Sequence, residues 1–391
     1  MDTQLFKIKI SMKALALILI VIIAIAGSTV IYLQLEPKQE NASPDQLFFG
    51  VSYGQTTAQE AKVLIDKVKN YTNFFLINSF DLTTNETALN EVCDYAASAN
   101  LKFTIYFDFI SRIRYPWHQN WLETAKQRWN ESFLGVYLRD EPGGRQIDTN
   151  AYFTNAIDYS DAANRFISNI SSTNSMIDAK NKSIPLFTSD YALYWWDYQA
   201  GYDTLFAELG WNMSSTLQIA LCRGAANMQN KDWGAIIVWK YFQPPYLADA
   251  QEIYEEMTLA YHAGARYIVV FNHPTYPESN LYGTLFPEHF DAMQRFWDYA
   301  NANPRTNQNT SYGQMALVLP KDYGWAMRRS ERITVDRIWG VFPEDEKSIA
   351  ILEITNTLLS KHGANLDIIY ESSKNNYNQY SRIYYWNETI R

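Results

Sequence analysis

From Phe48 onward the chain alternates short apolar runs, rich in Phe, Tyr, Ile and Val, with longer stretches whose apolar residues recur every three to four positions. The runs Phe48–Gly54, Asn73–Ser79, Lys102–Phe109, Phe133–Asp140, Ile184–Asp190, Thr216–Gly224, Gly234–Tyr241 and Ala265–His273 predict eight strands. Helical spacing covers Thr57–Asn70, Thr87–Asn100, Asn150–Asp178, Ala248–Ala263 and Pro287–Asn301. Eight strand–helix units over residues 48–303 match the roughly 250 residues of a closed (β/α)8 TIM barrel, whereas open doubly wound sheets rarely hold so many regular repeats. After a polar break at 303–311 a second pattern follows: strand Met315–Pro320, helix Lys347–His362, and strands Leu366–Tyr370 and Arg382–Trp386. It predicts a small flavodoxin-like α/β appendage over 313–391. The segment from Asp322 is expected to pack on the side of the barrel.

Ahead of the barrel, residues 14–33 carry no charge and are almost wholly apolar, about the ~20 residues that cross a hydrocarbon core. Lys7, Lys9 and Lys13 precede this run and only Lys38 follows closely, so residues 1–13 are expected in the cytoplasm and the globular part outside a cell membrane. Ala24-Ile25-Ala26 before Gly27 also has the form of a signal-peptidase site, which would make the protein secreted. The apolar run continues to Leu33, past that site, and favours the single-pass anchor. Residues 34–47 read as a polar tether.

Composition narrows the partners. The 391 residues are 47% hydrophobic and 19% charged, enough for a large core, and a net charge of -9 with no basic stripe argues against nucleic acid. Asn-x-Ser/Thr triplets begin at Asn41, Asn70, Asn85, Asn130, Asn169, Asn181, Asn212, Asn309 and Asn387, as suits an exported glycoprotein. Cys93 and Cys222 are the only cysteines and are expected to be buried thiols. The histidines show no metal-ligand spacing and no glycine-rich phosphate loop occurs, so neither metal nor cofactor is expected.

Chemistry in a parallel barrel gathers where strands end at their carboxyl side. The fourth run, Leu134-Gly-Val-Tyr-Leu-Arg-Asp-Glu-Pro142, closes on two adjacent acids and a proline that cannot donate to a ladder. Other predicted ends offer Tyr53, Asp108, Asp190, Arg223, Lys240, Asn272 and His273, with Trp195, Trp196 and Trp239 nearby. Indole faces suit the C–H faces of sugars.

A strand four ending in Asp140-Glu141-Pro142 is similar to the Asn-Glu-Pro that ends the same strand in retaining glycoside hydrolases of the (β/α)8 superfamily. An α/β segment after the barrel also resembles the barrel β-galactosidases with an amidotransferase-like domain, shortened here; no cysteine follows Cys222, so amidotransferase chemistry is not implied. The resemblance makes Glu141 the general acid/base and places Asp140 against the sugar 2-hydroxyl. It fails at strand seven, where the family has a nucleophilic glutamate and this chain has Val238-Trp239-Lys240-Tyr241. Three readings stay open. Asp190 or Asp108 supplies the second carboxylate; or Asp140 and Glu141 act as the pair of a substrate-assisted hexosaminidase; or the barrel is a noncatalytic glycan-binding or envelope-scaffold protein.

Overall fold

The structure is a computed structural model, and it describes residues 46–107, 117–274, 280–305, 313–324, 339, 346–372 and 377–388. The proposed membrane segment and the cleavage site near Ala26 lie outside these residues. Among the described residues no helix is long and apolar enough to cross a membrane. Residues 47–391 form one compact unit.

Eight strands close into a barrel in sequence order, each parallel to its neighbours: β1 Phe48–Tyr53, β2 Phe74–Ile77, β3 Lys102–Tyr106, β4 Phe133–Tyr137, β5 Leu186–Asp190, β6 Thr204–Leu209, β7 Asp232–Ile237 and β8 Tyr267–Val270. Closure is made by β1 against β8, with Phe48 opposite Tyr267. Side chains alternate in direction along each strand. Phe48, Phe74, Leu76, Tyr106, Tyr137, Phe187, Phe206, Ile236, Tyr267 and Val269 therefore fill the inside as one cluster. The opposite set, including Tyr53, Phe75, Ile105 and Leu205, packs on the helices as a second, larger cluster. At Gly50 even a Cβ would overlap the carbonyl oxygen of Phe74, so only glycine fits that point of the wall.

One strand departs from the expectation. Residues 216–224 are not a strand but the middle of the helix Ser215–Gln229, whose N-cap Ser214 accepts from Leu217 N–H. The sixth strand lies earlier, at Thr204–Leu209. The helix misleads because it is buried on nearly every side, between the barrel and a second sheet, and so lacks the polar stripe that announces helical period.

That second sheet has three parallel strands with β9 Met315–Leu319 in the centre, flanked by β10 Leu366–Tyr370 and β11 Arg382–Tyr385, and is preceded in β10 by the helix Glu346–His362. These elements fall within one residue of the predicted spans. The sheet docks directly on the Ser215–Gln229 helix. Gly224 sits so close to Ile368 that an added Cβ would stand 2.4 Å from its carbonyl oxygen. Next to it Arg223 Nε donates to Asp367 Oδ1 at 2.7 Å, with neither side chain exposed. Asn227 and Tyr380 donate to the other oxygen of Asp367, and the remaining Arg223 donors reach the carbonyls of Ala263, Ala364 and Leu366. Cys93 and Cys222 are buried and unbridged, as expected.

Because both charges are dry, removing one strands the other at a cost of about 3–5 kcal/mol. Arg223→Ala should therefore lower the unfolding free energy of the chain by that amount and expose the β9–β11 segment to limited proteolysis before the barrel. Chemical denaturation with a parallel protease digest measures both.

Candidate active site

A pocket of about 80 Å³, open at its mouth, lies at the carboxyl ends of the barrel strands. Its wall includes Asn78, Tyr106, Tyr137, Asp140, Glu141, Ser189, Glu208, Trp211, Trp239 and Phe271. Alternation explains most of these. Ser189 continues the inward row of Phe187, Glu208 that of Phe206, and Asn78 that of Phe74 and Leu76.

Asp140 and Glu141 need a different cause, since neighbours on a strand point to opposite faces. Arg139 and Glu141 both adopt left-handed backbone, with φ of 57° and 49°. Such residues cost roughly 1–3 kcal/mol each and persist only where the surroundings hold them. Here Glu141 N–H is bound by the carbonyl of Ser189, and Pro142 opens the helix Pro142–Thr149. The two turns bring consecutive carboxyls to the same pocket.

Glu208, on β6, is the acid that the sequence reading missed. It is buried, its Oε1 accepts from Ser189 Oγ at 2.5 Å, and its Oε2 has no hydrogen-bond partner among the described residues. Burial, then the charge of Asp140 and that of Asp190, push Glu141 up to about 7. Burial, then Glu141 and Asp140, hold Glu208 well above the usual carboxylate range. Tyr137 Oη donates to Asp140 Oδ1 at 2.7 Å.

The other predicted site residues divide sharply. Trp239 lines the pocket, and His273 stands beside it at the rim, ring centres 5.2 Å apart. Asp190 ends β5 but faces outward: its carboxylate accepts the N–H groups of Gly143, Gly144, Tyr191 and Ala192, clamping the start of the Pro142–Thr149 helix. Beside it, burial keeps Asp197 protonated far above the usual range. Tyr53 points into the helix layer and bonds the carbonyl of Thr57 at 2.5 Å. Asn272 is buried and accepts from Thr284 N–H at 3.0 Å. Lys240 is engaged by Glu252. Arg223 belongs to the buried ion pair described above. Trp195 and Trp196 are not loop aromatics at the mouth but part of the helix Tyr194–Ala200, with Trp196 packed 4.4 Å from Trp339 and 4.6 Å from Tyr370. Asp322 accepts from Trp196 Nε1 at 3.3 Å and from Ser160 Oγ at 2.9 Å, so the start of this segment packs on the barrel's side; its residues from 325 on, Trp339 apart, lie outside the described residues. Asp108 lies outside the described residues.

In place of the misassigned tryptophans, Trp211 and Trp239 form the aromatic wall, stacked at 6.4 Å, and Phe242, 83% exposed, lies 4.7 Å from Trp211. Trp211 and Glu208 were missed for one reason, the misplaced sixth strand. The signal was present: in Tyr-Asp-Thr-Leu-Phe-Ala-Glu-Leu, an acid two positions after an inward aromatic. Among the described residues no group of three or more His, Cys, Asp or Glu is arranged to hold a metal ion.

No protein-family profile and no curated protein matches the chain. Solved structures that it is similar to include a β-1,4-D-mannanase from Cryptopygus antarcticus, at 12% identity and TM-score 0.42 over 68% of this chain and 93% of that one. An endo-1,4-β-xylanase from Caldicellulosiruptor owensensis is similar at 10% identity and TM-score 0.43, over 64% and 97%. A 3-hexulose-6-phosphate synthase is similar at 11% identity and TM-score 0.37, over 64% and 99%. At these values the likeness carries neither a substrate nor a residue's role to this chain.

The protons on Glu141, Glu208 and Asp197 link stability to pH. The folded state keeps them above the ordinary carboxylate range while the unfolded chain releases them, so stability is greatest on the acid side and falls as pH rises toward about 7. Thermal unfolding between about pH 5 and 8 should show this slope, and Glu208→Gln should flatten it.

Proposed function

We propose that the protein is a membrane-anchored, outward-facing glycoside hydrolase in which Glu141 protonates the glycosidic oxygen and Glu208 is the second carboxyl. The observation that carries this reading is the placement of Glu141 and Glu208 in one pocket with an aromatic wall. A glycosidase needs one carboxyl that keeps its proton near neutral pH and a second across the scissile bond. Burial and like charge supply the first condition at Glu141. In a retaining reaction Glu208 would be the nucleophile that attacks from across the bond. Trp211 and Trp239 offer flat faces for a pyranose ring. Asp140, beside Glu141, is placed to receive a sugar hydroxyl.

Export is supported by the apolar run over 14–33 with its lysine bias. It is also consistent that Asn70, Asn85, Asn130, Asn169, Asn181, Asn212 and Asn387, the acceptor asparagines among the described residues, are all exposed.

The test is hydrolysis of a panel of β-linked and N-acetylated oligosaccharides by the full-length chain. Glu141→Gln should reduce kcat by about 100- to 10,000-fold, the usual worth of a positioned proton donor. Glu208→Gln should do at least as much. Wild-type binding of a glycan without any turnover would instead establish the noncatalytic reading.

With Glu141 as the acid, kcat/KM should fall as pH rises through about 7, where its proton is lost. A pH–rate profile on the best substrate of the panel checks this, and a flat profile up to pH 9 or so contradicts the assignment.

A further inference from the structure

The acid pair is one end of a longer row. Tyr137 Oη lies 2.7 Å from Asp140 Oδ1 and 2.7 Å from Ser189 Oγ, and Ser189 Oγ lies 2.5 Å from Glu208 Oε1. Each contact between oxygens this close requires a hydrogen between them. Tyr137 and Ser189 bring one hydrogen each for three contacts. The third hydrogen must therefore sit on a carboxyl at an end of the row, on Asp140 or on Glu208.

Both placements satisfy every contact. With the proton on Glu208, each hydroxyl donates toward Asp140; with it on Asp140, each donates toward Glu208. Ser189 N–H also binds Tyr137 Oη at 2.9 Å, fixing the phenol while leaving its oxygen one further acceptor position for either direction. We propose that Tyr137 and Ser189 form a proton relay between Glu208 and Asp140, which ionises Glu208 when substrate binds beside it.

The step balances. The Glu208 proton passes to Ser189 Oγ, the Ser189 hydrogen to Tyr137 Oη, and the Tyr137 hydrogen to Asp140 Oδ1, leaving a Glu208 carboxylate and an Asp140 carboxylic acid. The inference rests on the glycosidase reading for its purpose, because a nucleophile must be ionised before it attacks. Burial and the neighbouring Glu141 and Asp140 keep Glu208 protonated in the free protein; the relay lets it ionise once a glycosidic bond lies beside it.

The groups around Glu208 suit such a relay. Asp140 and Glu141 face it from the loop after β4, Asp190 and Tyr194 act on it from the β5 side, and Ile236, Val238 and Phe271 are its apolar neighbours from β7 and β8. No lysine or arginine is among the described residues lining the pocket. A cluster of acids without a cation keeps a proton and needs a path to move it.

Infrared difference spectroscopy on the full chain tests this without requiring turnover. The protonated-carboxyl band of Glu208, assigned by its loss in Glu208→Gln, is titrated in wild type, Asp140→Asn, Tyr137→Phe and the double variant. Asp140→Asn should lower the Glu208 midpoint, because the amide supplies the missing hydrogen. With Tyr137→Phe in place that shift should shrink by about one pH unit or more, a tenfold change in proton affinity. Equal shifts in both backgrounds would mean that Asp140 acts on Glu208 by charge across space alone, and would overturn the relay. So would a wild-type protein with no Glu208 band at any pH. Should Tyr137→Phe fail to fold, Ser189→Ala cuts the same row at the next link and carries the same expectation. A positive cycle in a protein that hydrolyses no glycoside would keep the relay and discard the glycosidase reading.

Discussion

Closure of eight parallel strands is the constraint from which the site follows. In a closed parallel barrel no strand has a free edge, and every strand delivers its carboxyl end to the same rim. The inside has room for only half the side chains, so strict alternation decides which residues meet there. Phe187 and Phe206 are core one layer down; Ser189 and Glu208, two positions on, line the pocket. Residues one position off the row go to the helix layer, however polar they are. Asp190 is such a residue, and it spends its charge on four backbone N–H groups.

This rule also explains what could be read from the chain. The strands β1 to β5, β7 and β8 are bounded by turn residues and flanked by amphipathic helices, and both features survive in the linear pattern. The Asp140-Glu141-Pro142 ending was legible because proline must terminate a strand. Strand β6 was not, since the Ser215–Gln229 helix that follows is covered by the barrel on one side and β10 on the other, and reads as an apolar run. That one displacement removed Glu208 and Trp211 from view and promoted Arg223 to a place at the mouth. Trp195 and Trp196 failed for a related reason: the surface that they bury is supplied by Trp339 and Tyr370, over 140 residues away, which local pattern cannot foresee.

The second sheet and the site are tied through the same stretch of chain. β6 carries Glu208, and the helix after it carries Arg223 and Gly224, the contact points for β10. The helix Tyr194–Ala200, which follows the clamp on Asp190, is roofed by Tyr370 from the same sheet. The C-terminal sheet thus braces the β5 and β6 units from behind, the two units that supply Ser189 and Glu208. A brace at that position limits how far the strands can move apart.

Two groups of acids among the described residues meet opposite treatment. Asp367 is surrounded by Arg223, Asn227 and Tyr380, so its charge is balanced and its lone pairs are filled, as a structural carboxylate requires. Asp140, Glu141 and Glu208 face one another with two hydroxyls and no cation among the described lining residues, on a turn that contains two left-handed residues. Stability alone would select against each of these choices: like charges raise one another's proton affinity, and the strained turn adds roughly 1–3 kcal/mol per residue. The same sequence contains the stable solution at Asp367, so the unfavourable one at the barrel mouth is what marks it as the candidate functional site.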